Sequence, residues 1–230
     1  AEIAHAESIW LHVDAAWGGS CLFSSKKRHL MNGVELADSV CWDAHKMMGM
    51  PLICSAFIIK QPEILRSVCS HGDVAHYLFH EESKDFDLGR YSLQCGRRND
   101  SLKLWLAWRE IGDSGWARMV DDYCSLADHL EQRVTEDSEL EMMSHRDWTN
   151  VCIRYNDNSG DHDLNELNAQ IRDRLLKEGE ILVSRSNIGT DVILRPVISN
   201  PSVTSDILDR LVEKVKNHAS DIISGIPPSK

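Results

Sequence analysis

Trp10-Leu-His-Val-Asp-Ala-Ala-Trp-Gly-Gly19, followed about thirty residues later by Trp42-Asp-Ala-His-Lys-Met-Met-Gly49, decides the fold. Ile9 to Val13 is a short apolar run that ends in Asp14, and Ala15, Ala16, Gly18 and Gly19 then open the chain into a turn. A run of that kind reads as the C-terminal end of a buried parallel strand. Asp38 to Trp42 is a second strand-like piece; it delivers His45 and Lys46 into a turn before strand character resumes over Leu52 to Ile59. Open α/β sheets bind ligands beyond the carboxyl ends of their strands. A carboxylate there suits a protonated ring nitrogen, through a charge-assisted hydrogen bond. Lysine suits a carbonyl carbon, provided its amine is desolvated or lies near other positive charge. Taken singly, an Asp after a strand also reads as a turn or cap residue, and a Lys as a solvated charge. The two strings together are far more specific.

The paired strings resemble those of the group II pyridoxal-phosphate decarboxylases, the family of glutamate, cysteine sulfinate, aspartate and aromatic amino acid decarboxylases. Members carry a His-Val-Asp-Ala-Ala-Trp/Tyr string, matched here by His12 to Trp17, and an Asn-Pro-His-Lys string, matched here by Asp43 to Lys46. The resemblance implies that Lys46 forms the Schiff base with pyridoxal 5'-phosphate, with His45 beside it as a further catalytic and cofactor-binding residue. It also implies that Asp14 holds the ring nitrogen and that Ala16 lets the ring lie flat. Asp43-Ala44 stands where the family has Asn-Pro.

Three further segments extend the likeness. Ala75-His-Tyr-Leu-Phe79 resembles the start of the family's catalytic loop, which makes Tyr77 the residue that returns a proton to the substrate's alpha carbon; a Tyr before Leu-Phe also reads as a packed aromatic. From Tyr77 to Gln94 the chain is a few residues shorter than glutamate-type members. Gln94-Cys-Gly-Arg-Arg98 resembles a segment that reaches the cofactor phosphate from the neighbouring subunit, with Cys95 and Gly96 as contacts and the glycine letting backbone N–H groups approach an anion. It also reads as a turn into the helix that begins near Asn99. Val192-Ile-Leu-Arg-Pro-Val-Ile-Ser-Asn-Pro201 resembles a strand whose arginine, here Arg195, holds a substrate carboxylate. A guanidinium fork fits that task, and an edge-strand charge is the alternative.

Acidity, at a formal charge of −11, and the lack of a basic stripe argue against nucleic acid as a partner. No apolar run of about eighteen residues suggests a membrane span, and no signal-peptide pattern is present. The seven cysteines include no Cys-x-x-Cys pair and the eleven histidines show no ligand spacing, so no metal site is expected and the thiols read as reduced, in a cytoplasmic setting.

Periodicity completes the outline. Leu102, Leu104, Trp105, Leu106, Trp108 and Ile111 make a helix apolar nearly all round, which predicts burial between layers. Trp116, Met119, Val120, Tyr123, Ala127, Leu130 and Val134 form the core stripe of a long amphipathic helix. Strand-like pieces near Leu140 to Met143 and Val151 to Tyr155 precede a helix capped at Asp163, with Glu166 at the capping-box position and Gly179 as its stop. Thr204 or Ser205 opens the last helix. The expected class is α/β: residues 1–115 as the C-terminal part of the large cofactor-binding domain of a fold-type I pyridoxal-phosphate enzyme, and 116–230 as a linking helix with a small α/β or α+β domain.

In the family about half of the large domain precedes the Asp14 motif and carries the phosphate cradle. A second polypeptide with that N-terminal half is therefore expected as a partner, in a homodimer-like assembly of such pairs, with a truncated chain as the alternative. The function implied is decarboxylation of an amino acid, most nearly an acidic one. Transamination, decarboxylation with oxidative deamination, and a non-catalytic subunit remain alternatives.

Overall fold

The run ending in Asp14 becomes strand β1, His12–Asp14, which lies parallel to β2, Ser39–Asp43; β3, Ser55–Ile59, joins the other edge of β2 in the antiparallel sense. The register sets Asp14 opposite Cys41 and Asp43 opposite Ser55. This computed structural model describes residues 1–69, 88–94 and 96–227, which divide into two units, Ala1–Trp116 and Ala117–Lys230. Helices α1, Glu2–Ala6, and α2, Pro62–Cys69, belong to the first unit. Helix α3, Asp100–Thr135, runs from the first unit into the second and is broken at Gly112, whose φ of 68° and ψ of 169° lie in a region open essentially to glycine.

Aromatic packing ties the three-stranded sheet to the first part of α3. Phe23 meets the edge of Trp42 at 5.5 Å and of Trp108 at 5.1 Å, and Trp108 in turn lies 5.8 Å from Trp116. Gly19 permits this approach, because a Cβ there would stand 3.0 Å from both Ala15 Cβ and Trp42 Cδ1. Met47 and Met48 seal the turn after β2 and are fully buried. The expectation that the first part of α3 is buried on all sides does not hold. Leu102, Trp105 and Leu106 stand 47%, 58% and 54% exposed, because three strands of three to five residues cannot cover a helix apolar on every face.

Along α3 most of the stripe read from the sequence is buried: Trp116, Val120, Tyr123, Ala127, Leu130 and Val134 are each at most 2% exposed, the first of them closing the preceding unit, while Met119 is only half-buried. Val120, Leu130 and Val134 each contribute about 1.5–3 kcal/mol of transfer free energy. Strands β4, Leu140–Met142, β5, Ile153–Tyr155, β6, Ser184–Ile188, and β7, Asp191–Arg195, form a sheet in the order β4-β5-β7-β6. Its pairs are all antiparallel, so of the two arrangements the sequence left open, α/β and α+β, this unit takes the second. The chain as a whole, with its helices and a mixed sheet, keeps the α/β class.

Helix α4, Leu164–Glu178, begins where Asp163 Oδ1 accepts the N–H groups of Asn165 and Glu166, and it ends at Gly179 with φ 75°. The Glu166 carboxylate accepts from Gln170 instead of closing a capping box. Helix α5, Ser205–Ile223, buries Leu208, Leu211, Val212 and Val215. Among the described residues no helix is long and apolar enough to cross a membrane, and no group of His, Cys, Asp or Glu is arranged to hold a metal.

Candidate active site

The candidate site forms where β1 and β2 end side by side. Backbone bonds stitch the two ends together: Ala15 N–H donates to Cys41 O at 3.0 Å, and Asp43 N–H to Ala16 O at 3.3 Å. Beneath them Ser39 accepts the Trp10 indole N–H at 2.9 Å and lies 2.8 Å from His12 Nδ1, while the His12 ring stacks on Phe57 at 5.8 Å.

Asp14 presents its carboxylate at the open end of β1. Its Oδ1 accepts the Ala16 N–H at 3.0 Å and the Cys41 thiol at 3.3 Å. Those two donors, in that order, outweigh the small desolvation and hold the carboxyl below the usual range, with the charge of Lys46 and then of His12 adding to the effect. Asp14 is thus ionised, and Oδ2 has no partner among the described residues. An ionised carboxylate with one free oxygen fits a protonated heterocyclic nitrogen. Ala16 is 7% exposed, and its backbone does the holding.

Lys46 follows β2 on a short turn. Its Nζ lies 2.9 Å from Asp43 Oδ2, with the lysine side chain 41% exposed and the aspartate 16%. Asp43 Oδ1 accepts the hydroxyl of Ser55, its partner across the β2–β3 pair. Burial alone would raise the Asp43 carboxyl, but the Ser55 and Lys46 hydrogen bonds and the charge of Lys46 carry it below its ordinary value. The His45 ring is fixed by Cys54, whose backbone oxygen and nitrogen lie 3.0 and 3.1 Å from Nδ1, and Nε2 sits 3.6 Å from Asp43 Oδ2. Asp14, His45 and Lys46 therefore share one strand-end cluster with Asp43, Cys41 and Ser55.

Sequence reading missed the last three as working parts. Asp43 was detectable, since a carboxylate three residues before a lysine in a turn can reach its amine. Cys41 and Ser55 depend on strand register, which has no local signal.

Tyr77 and Cys95 fall outside the described residues. Gly96 is exposed, and a Cβ there would meet nothing of this chain's described residues within 4 Å. Arg97 and Arg98 line a cleft of ≈ 540 Å³ with Trp42, Ser55, Gln94 and Asp100, next to the strand-end cluster. A larger hollow, of ≈ 700 Å³, lies among Ile3, Leu11, Val13, Leu30 and Leu36, and none of these polar groups lines it. Arg195 ends β7 in the second unit with its guanidinium exposed; Nε is 3.5 Å from Ser184 Oγ, and no carboxylate pairs with it among the described residues.

Residues 1–156 match the pyridoxal-dependent decarboxylase conserved domain. The chain belongs to the pyridoxal-dependent decarboxylase family. It is 34% identical to human cysteine sulfinic acid decarboxylase over 96% of its own length and 48% of that protein's. A crystal structure of mouse CSAD in apo form superposes with a TM-score of 0.85 at 30% identity, covering 95% of this chain and 47% of that one. An Oryza sativa TDC solved with PLP and tryptamine gives a TM-score of 0.88 at 25% identity, over 96% and 46% of the two chains. The chain spans about half the length of the curated relatives it matches.

Proposed function

We propose that this chain carries the lysine-bearing part of a pyridoxal-phosphate-dependent decarboxylase that releases carbon dioxide from an acidic L-amino acid, of the glutamate, aspartate or cysteine sulfinate type. The observation that supports it best is the strand-end pair: an ionised Asp14 with Oδ2 free among the described residues, and Lys46 on the turn after the adjacent parallel strand. The acidic substrate rests on the likeness to cysteine sulfinic acid decarboxylases.

When bound, the pyridoxal ring supplies the electron sink that a carboxyl-bearing carbon needs to lose carbon dioxide. Lys46 Nζ holds the aldehyde carbon between turnovers. Asp14 Oδ2 keeps the proton on the ring nitrogen, and the Ala16 N–H and Cys41 thiol hold that carboxylate in place and ionised. His45, its ring fixed by Cys54, lines the site beside Lys46. Arg195 grips a carboxylate of the substrate through its guanidinium fork. The Tyr77 hydroxyl returns a proton to the alpha carbon. Cys95 and Gly96 reach a cofactor phosphate in a neighbouring subunit of a dimer.

In this reading the first unit is the C-terminal part of a fold-type I large domain and the second its small domain. The exposed Phe57, Ile58, Leu52 and Trp105 mark surface that further polypeptide covers, carrying the phosphate cradle. The enzyme works in the cytoplasm, where thiols such as Cys21, Cys54 and Cys124 stay reduced.

Reduction of the assembled, cofactor-loaded protein with tritiated borohydride, followed by peptide mapping, is expected to label Lys46, and carbon dioxide is expected from acidic substrates. Label on Lys60 or another lysine, or release from aromatic substrates alone, refutes the corresponding part of the reading.

A further inference from the structure

We infer that Asp43 is a positioning residue that holds Lys46 Nζ in an ion pair at the end of β2 whenever the lysine is not bonded to a cofactor or substrate carbon. The role rests on the function proposed above, but the ion pair that carries it does not.

The geometry is specific. Asp43 closes β2, and its two oxygens have separate tasks: Oδ1 accepts from Ser55 and Oδ2 faces Lys46 Nζ at 2.9 Å. The carboxylate is 16% exposed and anchored across a five-pair strand register, so it cannot follow the lysine out to solvent. The other ionisable groups facing the pair are Asp14 at the end of β1, the Cys41 thiol on β2 and His45 in the same turn; Ser55 on β3 is neutral. Asp14 thereby remains available to a ring nitrogen, and a second carboxylate takes the amine.

Such a hold is needed at one moment of the proposed cycle. With pyridoxal phosphate bound, its aldehyde carbon would be exchanged from Lys46 to the substrate nitrogen, and the hydrogens of the substrate's ammonium would pass to Lys46. No net charge is created, but a positive charge moves from the incoming nitrogen to the departing one. Asp43 Oδ2 is already where that charge arrives. Without it the new ammonium competes for Asp14, the only other carboxylate in the described cluster, and perturbs the ring-nitrogen anchor.

The test uses the full assembled protein stripped of small molecules, with trace acetic anhydride labelling of Lys46 at one fixed pH followed by mass spectrometry. An amine held 2.9 Å from Asp43 Oδ2 is shielded from the reagent, so Asp43→Asn is expected to raise Lys46 labelling by about threefold, a fold-change suited to a partly exposed pair. Asp43→Glu is expected to restore most of the protection, and labelling of Lys60 is expected not to change. Equal Lys46 labelling in wild type and Asp43→Asn, with both folded by circular dichroism, overturns the assignment. Should Asp43→Asn not fold, Ser55→Ala decides instead: it keeps both charges and loosens only the carboxylate, so it must raise labelling by a smaller factor, and no rise overturns the idea. Wild-type protein that shows the protection yet takes up no pyridoxal phosphate refutes the proposed function and leaves the ion pair standing.

Discussion

Asn168→Ala is expected to cost the second unit a large part of its stability. Asn168 is fully buried on the inner face of α4, yet it makes three hydrogen bonds. Its Oδ1 accepts the Tyr155 N–H at 2.8 Å, while Nδ2 donates to Tyr155 O at 2.9 Å and to Leu164 O at 2.8 Å. One amide thus satisfies both backbone groups of the last residue of β5 and fixes the helix against the sheet. Alanine leaves those two groups unpaired in the interior, at about 1–3 kcal/mol each. Allowing for some entry of water, the loss is about 3 kcal/mol, against a total of about 5–15 kcal/mol for an ordinary domain. With a urea slope of about 1–3 kcal/mol/M, the midpoint falls by about 1–3 M. The assay is urea unfolding followed by circular dichroism. Asn168→Asp keeps the acceptor but sets a second acceptor against Tyr155 O, and is expected to be no better at neutral pH. A midpoint change below about 0.3 M at unchanged slope, within the usual error of the extrapolation, refutes the reasoning.

Asp14→Asn is expected to keep cofactor binding but to lose turnover by about a hundredfold or more, since an amide cannot hold charge on the ring nitrogen; carbon dioxide release measures it. Gly19→Ala sets a methyl 3.0 Å from Ala15 Cβ and Trp42 Cδ1, and is expected to destabilise by about 1–3 kcal/mol, read as a lower Tm. Tyr123→Phe is expected to stabilise at neutral pH, because the Tyr123 hydroxyl is buried with no partner among the described residues. It should do so more strongly in alkali. Burial pushes the Tyr123 phenol up to about 12 from an ordinary 10.0, so the folded state holds its proton while the unfolded chain loses it. Stability is therefore complete below pH 10 and is lost as pH rises from 10 towards 12, a loss the Phe variant lacks. Matching urea midpoints of the two proteins at pH 11 would contradict this.

The sequence by itself determined those features whose causes are local. The apolar run into Asp14 and the small residues after it fix a strand end whichever partner the strand finds. Asp163 and Gly179 bound α4 through capping and a positive φ, and the stripe from Trp116 to Val134 follows from helical period alone. Only tertiary structure decided that Cys41 bonds Asp14, that Ser55 orients Asp43 towards Lys46, and that Asn168 serves Tyr155. Those contacts join residues 12 to 27 positions apart, and their existence depends on strand register and helix packing. The first part of α3 shows the limit from the other side: periodicity revealed a helix with apolar residues all round, but could not say what covers them, and Leu102 and Trp105 stand in the open. A pattern specifies which face seeks burial; only the assembled fold supplies the surface that buries it.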